Sequence, residues 1–127
     1  MTARTRPGLV DATGTRRRLE ALAALGWSAT QIGWHLHRPY ASSRSLVSSW
    51  RHRSRRVIDA RTAAQVAEVY EQLRHRRGTS GKVRVHALKA GCLPPDAWDG
   101  LDIDDPTADP TAQPATEPTA DDEDQAA

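Results

Sequence analysis

Apolar residues recur at helical spacing in five stretches of this chain, each bracketed by residues that start or stop a helix. In the first, Leu19, Leu22, Ala23 and Leu25 mark one face of a helix predicted from about Asp11 to Leu25. Asp11, Thr13 and Thr15 are its alternative caps, and Gly26 stands where glycine favours a helix end. The second opens at Ser28, which pairs with Gln31 as a capping box, while Trp27 and Ile32 have the spacing of a hydrophobic staple. Ala29, Ile32 and Leu36 form its stripe, and Pro39 ends it near His37. A third helix, capped by Ser42 or Ser43, gathers Leu46, Val47 and Trp50 on one edge, within about 100° of arc. Thr62 and Gln65 form a second capping box, opening a helix from Ala63 to about Arg76 with Val66, Val69, Tyr70 and Leu73 inward. The last runs from the Ser80 cap to about Ala90, with Val83, Ala87 and Leu88 inward and Gly91 closing it. Beyond it, Leu93, Pro94, Pro95, Trp98, Leu101 and Ile103 read as an irregular segment laid back on the body.

The fold class expected from this pattern is all-α: a small helical domain of four to five short helices, residues 9–103, containing a helix-turn-helix. Residues 1–8 read as a basic flexible arm with Arg4 and Arg6, broken by Pro7 and Gly8. Residues 104–127 read as a disordered acidic tail rich in Pro, Thr, Ala and Asp, with proline recurring at 106, 110, 114 and 118.

The helix-turn-helix reading centres on Trp27 to Arg56, and its turn from Arg38 to Ser42 is longer than the usual three or four residues. Opposite Leu46 and Trp50, the third helix carries Arg44, Ser45, Ser48, Arg51, His52 and Arg55. Short hydroxyls and arginines on one helical face suit a major groove, because serine bonds either base type and arginine reads guanine or holds phosphate. Ser43, Arg44, Ser45 and Ser48 are therefore the residues expected at base edges. Arg51, His52, Arg55 and Arg56 are expected on phosphates, helped by Arg16, Arg17 and Arg18. A single such helix touches few base pairs, so a homodimer or a second protein is the expected complement.

Charge strengthens this picture. The net charge of +2 conceals a division: all 18 Lys and Arg precede Leu93, among only five acids, for a net of +13. The other eleven acids begin at Asp96, with no basic residue after them. A small body so charged repels itself unless a polyanion neutralises it, and double-stranded DNA is the expected one. The acidic tail is then either a solubiliser or an intramolecular competitor for the basic face. An anionic membrane is disfavoured, because no basic amphipathic stretch has a strong apolar face and no run of eighteen apolar residues occurs. The start, MTARTRPGLV, lacks an apolar signal core, and the single Cys92 cannot form an internal disulfide, so a cytoplasmic setting is expected.

The sequence argues against an enzyme. The acids lie mostly in the tail, where nothing rigid would position a catalytic pair, and no serine sits in a G-x-S-x-G turn. No metal or cofactor is expected: His35 and His37 are two apart on a helix and point to different sides, Cys92 has no C-x-x-C companion, and glycine-rich phosphate loops are missing. Trp34 lies opposite Ile32 and Leu36 and has no place in the predicted core.

Several of these stretches together resemble a group of small helix-turn-helix proteins of actinobacteria and their phages. The resemblance rests on VDATGTRRRLEALAALGWSATQIG from Val10, the SxxLVSSW helix at Ser43, RTAAQVAEVYEQL from Arg61, and Ala87 to Asp99. It covers about residues 9 to 106 and implies a cytoplasmic DNA-binding protein of regulatory or prophage origin. Two other readings stay open. One is a phage packaging or assembly component, akin to a small terminase subunit, and the other an adaptor whose basic face meets an acidic protein. RNA is less favoured, because aromatic platforms for stacking are scarce.

Overall fold

The computed structural model describes residues 8–36 and 56–112. They form β1 (Leu9–Asp11), α1 (Thr13–Ala24), α2 (Ala29–His35), β2 (Val57–Asp59), α3 (Ala60–Leu73) and α4 (Gly81–Lys89), followed by 3-10 turns at Pro95–Trp98 and Pro110–Ala112. The described residues are mostly helical, but the all-α expectation is corrected by a small antiparallel sheet. Leu9 faces Asp59, Val10 faces Ile58 and Asp11 faces Val57. Ala12 N–H donates to the Arg56 carbonyl at 2.9 Å and Ala60 N–H to that of Gly8 at 2.7 Å, so the ladder extends past both strands. Three-residue strands are too short for an alternating pattern to stand out, and each borders a predicted helix start.

The helices begin as their local chemistry dictates, with two adjustments. At α2 the Ser28 hydroxyl accepts from Gln31 N–H at 3.1 Å while the Gln31 side chain accepts from Ser28 N–H at 2.9 Å, closing the expected capping box. At α1 the residue in the cap position is Ala12, and the Asp11 carboxylate instead accepts from Thr13 N–H at 2.7 Å. At α3 the expected Thr62 and Gln65 box gives way to Asp59, whose carboxylate accepts from Thr62 N–H at 3.0 Å. The sheet holds Asp59 extended, the backbone an N-cap requires, so the helix starts three residues before the predicted Ala63. Ser80 caps α4 as expected, accepting from Val83 N–H at 3.2 Å.

Packing centres on α1, which lies against both α3 and α4. Leu19, Leu22, Ile32, Val66 and Leu73 are completely enclosed, joined by Trp27, Ile58, Val69, Tyr70 and Ile103. Each such aliphatic side chain contributes about 1.5–3 kcal/mol on burial. Between α1 and α4 the contact is built from small residues: Ala23 and Ala24 face Ala87, with Val83 and Cys92 beside them. Leu88, expected inward, is 43% exposed, because Ala87 and Val83 already define the buried side of α4. Pro95 and Ile103 are buried and Trp98 packs on the core, so the segment after α4 does lie back on the body.

One close backbone approach sets where α2 begins. Gly78 N–H donates to the Leu25 carbonyl at 2.9 Å and Ser80 N–H to the Gly26 carbonyl at 3.0 Å. Gly26 adopts φ +101°, the left-handed region that glycine tolerates. A Cβ on Gly78 would overlap the Gly26 carbonyl and lie 2.6 Å from the Trp27 nitrogen, all backbone atoms that cannot swing aside. Gly78→Ala is therefore expected to cost about 1–3 kcal/mol in chemical denaturation. Gly81→Ala, with nothing within 4 Å of the added carbon, should leave stability unchanged or raise it by up to about 1 kcal/mol.

Candidate nucleic-acid interface

Of the eleven residues expected to touch DNA, Arg16, Arg17, Arg18 and Arg56 are described. Ser43, Arg44, Ser45, Ser48, Arg51, His52 and Arg55 lie outside the described residues, as do the apolar edge Leu46, Val47 and Trp50 and the turn before it. The chain leaves the described body at Leu36, the C-cap of α2, and re-enters at Arg56. Arg56 is exposed, and its carbonyl is bonded to Ala12 at the head of α1. The two-stranded sheet thus brings the end of the predicted reader stretch beside the helix carrying the arginine block.

Within that block two arginines have partners inside the fold. Arg17 Nη1 donates to the carbonyls of Ile103 and Asp105 at 3.1 and 2.8 Å, and Nη2 to those of Pro106 and Ala108 at 3.3 and 3.2 Å. Its guanidinium carbon also stands 4.8 Å from the centroid of the Trp98 ring. Arg18 grips Asp104 with both nitrogens, at 2.7 and 2.9 Å, and its side chain is only 16% exposed. Their terminal nitrogens donate to the chain's own C-terminal segment. The same contacts move the body's boundary: residues 104–108, assigned to the acidic tail, lie against α1. The physical reason is geometric, since burying Ile103 delivers the following carboxylate and carbonyls to α1. Arg16 differs, being half-buried on a cleft of about 400 Å³ that it shares with Glu20, Trp98 and Thr107.

Arg74 is also structural. It pairs with Asp99 at 2.8 Å and Glu71 at 3.5 Å, with its guanidinium 5.4 Å from the Tyr70 ring centroid. Carboxylates offset the charge of Arg18 and Arg74, and all three arginines bind the C-terminal segment to the helices.

The structure also points to a basic surface to which sequence reasoning gave no role. Arg76, Arg77 and Lys82 are exposed around the loop that joins α3 to α4. That loop is fixed to the start of α2: Trp27 Nε1 donates to the Arg76 carbonyl at 3.0 Å and Gln31 Nε2 to the Thr79 hydroxyl at 2.8 Å. The available signal was a run without acids, since none occurs between Glu71 and Asp96. Trp34 is 58% exposed on α2.

Among the described residues, no group of three or more His, Cys, Asp or Glu side chains is placed to hold a metal ion. No helix among them is long and apolar enough to cross a membrane. No protein-family model, curated protein or solved structure matches this chain.

The hydrogen bonds from Arg18 hold the Asp104 carboxyl below its ordinary pKa, against the opposing effect of partial burial. A depressed carboxylate stabilises the folded form above the unfolded pKa of about 4, and that contribution is lost as pH falls through the lower folded value. Followed by NMR, the Trp98 indole resonance is expected to move on acidification below about pH 4 in the native chain. In Asp104→Asn it should already stand at the displaced position at neutral pH.

Proposed function

We propose that this chain is a non-enzymatic duplex DNA-binding protein of regulatory type, with α2 as the first helix of a helix-turn-helix and a second helix within residues 42–56 entering the major groove. The observation that carries the reading is the charge division along the chain: a net of +13 before Leu93, and still 18 basic residues against ten acids when the segment that folds back, to Ala108, is included. Self-repulsion of that size is relieved by a polyanion, and the phosphates of a duplex supply one at regular spacing. Local architecture supports it. α2 is capped on both sides of its first turn, and the nineteen residues between Leu36 and Arg56 are enough for a turn and a helix of about three turns. In this reading Ser43, Arg44, Ser45 and Ser48 face base edges, while Arg51, His52, Arg55 and Arg56 hold phosphates. A homodimer or a second protein completes the footprint, and the setting is cytoplasmic.

A second reading, an adaptor for an acidic protein, draws on the exposed Trp34 of α2 and the exposed Val85 and Leu88 of α4. It predicts no duplex binding even in dilute salt, whereas the favoured reading predicts binding that weakens linearly with the logarithm of salt concentration. On that scale Arg55→Ala with Arg56→Ala should weaken binding to all sequences alike. The salt slope should flatten by about one unit per lost phosphate contact. An unchanged slope assigns those arginines no phosphate role.

A further inference from the structure

We propose that the α3–α4 loop and the first turn of α4, through Arg76, Arg77 and Lys82, form a second phosphate-contact surface that grips the backbone of the same duplex. This rests on the duplex-binding reading and adds to it a site in a different part of the chain. Three observations carry it. Arg76, Arg77 and Lys82 are exposed, with no ion pair to any described residue, in contrast to the neighbouring Arg74, which Glu71 and Asp99 hold. No acid lies anywhere from Gln72 to Pro95, so nothing in that stretch offsets the charge.

The second observation is rigidity. The loop backbone is clamped at Arg76 by the Trp27 indole, at Gly78 by the Leu25 carbonyl and at Ser80 by the Gly26 carbonyl, and the Thr79 hydroxyl accepts from Gln31. A mobile arginine loop loses conformational freedom when it binds, whereas one already fixed loses little beyond its side-chain rotamers. The third is position. Every clamp is made by residues 25–31, the turn and first residues of α2. In a helix-turn-helix the first helix crosses the sugar–phosphate backbone while the second reads bases. A basic loop bolted to the head of that first helix lies where phosphates run. Guanidinium groups engage two phosphate oxygens at once, and the lysine adds a point charge. Exposed Val85 and Leu88 on α4 are too small an apolar face to seat the helix in a bilayer.

The test is fluorescence anisotropy of the full chain on a labelled random-sequence duplex across a salt series, comparing the native chain with Arg76→Ala/Arg77→Ala/Lys82→Ala. The variant is expected to flatten the salt slope by about two to three units, while Arg76→Lys/Arg77→Lys retains the native slope. Because these side chains are exposed, thermal melting should be unaltered, which separates lost contacts from lost folding. Amide resonances of residues 78–82 should shift when unlabelled duplex is added to the ¹⁵N-labelled chain. A native chain that binds with a slope the triple substitution leaves unchanged overturns this surface and leaves the wider reading intact. A native chain that ignores duplex at low salt overturns both. Amide shifts in 78–82 with phosphatidylserine vesicles, but none with duplex, would assign the surface to membranes and overturn it as a DNA contact.

Discussion

The contact on which this molecule hangs is the approach of two backbones at Gly26 and Gly78. A side chain on Gly78 would meet carbonyl and amide atoms rather than yielding side-chain tips. Its absence lets the α1–α2 turn and the α3–α4 loop exchange hydrogen bonds directly. The α1–α2 turn also buries Trp27, but the loop from Arg76 to Ser80 contains no apolar side chain by which burial could position it. What faces solvent from this junction, the exposed arginines and the head of α2, inherits its geometry from main-chain atoms. A surface fixed in this way is pre-organised, which matters where binding energy comes from charges that would otherwise lose freedom on contact.

Arginine plays two opposed parts in this chain, and the structure separates them. Arg17, Arg18 and Arg74 hold the segment from Trp98 to Ala108 against the helices, through carbonyls, carboxylates and aromatic faces. The planar guanidinium suits this work, since it can donate along two edges while lying on a ring. With no phenylalanine in the chain, such clasps supplement a core built from aliphatic residues and a few Trp and Tyr. Among the described residues, the remaining exposed cations sit at the β2 entry, on α3 and around α4, and carry part of the charge proposed to meet phosphate. The acidic half of the chain is divided likewise: Asp99 and Asp104 are structural partners of arginine, while the tail beyond residue 112 lies outside the described residues.

Much of the helical scaffold could be read directly. The Ser28 and Gln31 box, the inward face of Val66, Val69, Tyr70 and Leu73, and the glycine ends at Gly26 and Gly91 depend on local chemistry, and they appear as expected. The sheet was not legible because β1 and β2 exist through each other, paired across 46 to 50 residues of sequence, with no alternating run long enough to announce either. The same non-local pairing promoted Asp59 over Thr62 as a cap. The fate of Arg17 and Arg18 was hidden for a related reason: three adjacent arginines look like solvent or phosphate groups until the fold shows that Ile103 carries Asp104 back to them. The α3–α4 loop escaped notice because Arg76 and Arg77 fell at the predicted end of one helix and Lys82 at the start of another. Only tertiary clamps make them a single surface.

In the proposed reading, basic charge on this chain exists to meet a double helix, with one helix reading its bases. The most direct measurement is selection of binding sites by the full chain from a pool of random duplexes, carried out at two salt concentrations. Retention of duplex in dilute salt, with a short common sequence persisting as salt rises and non-specific contacts weaken, is the predicted result. A pool that passes over the protein unretained in dilute salt would contradict it.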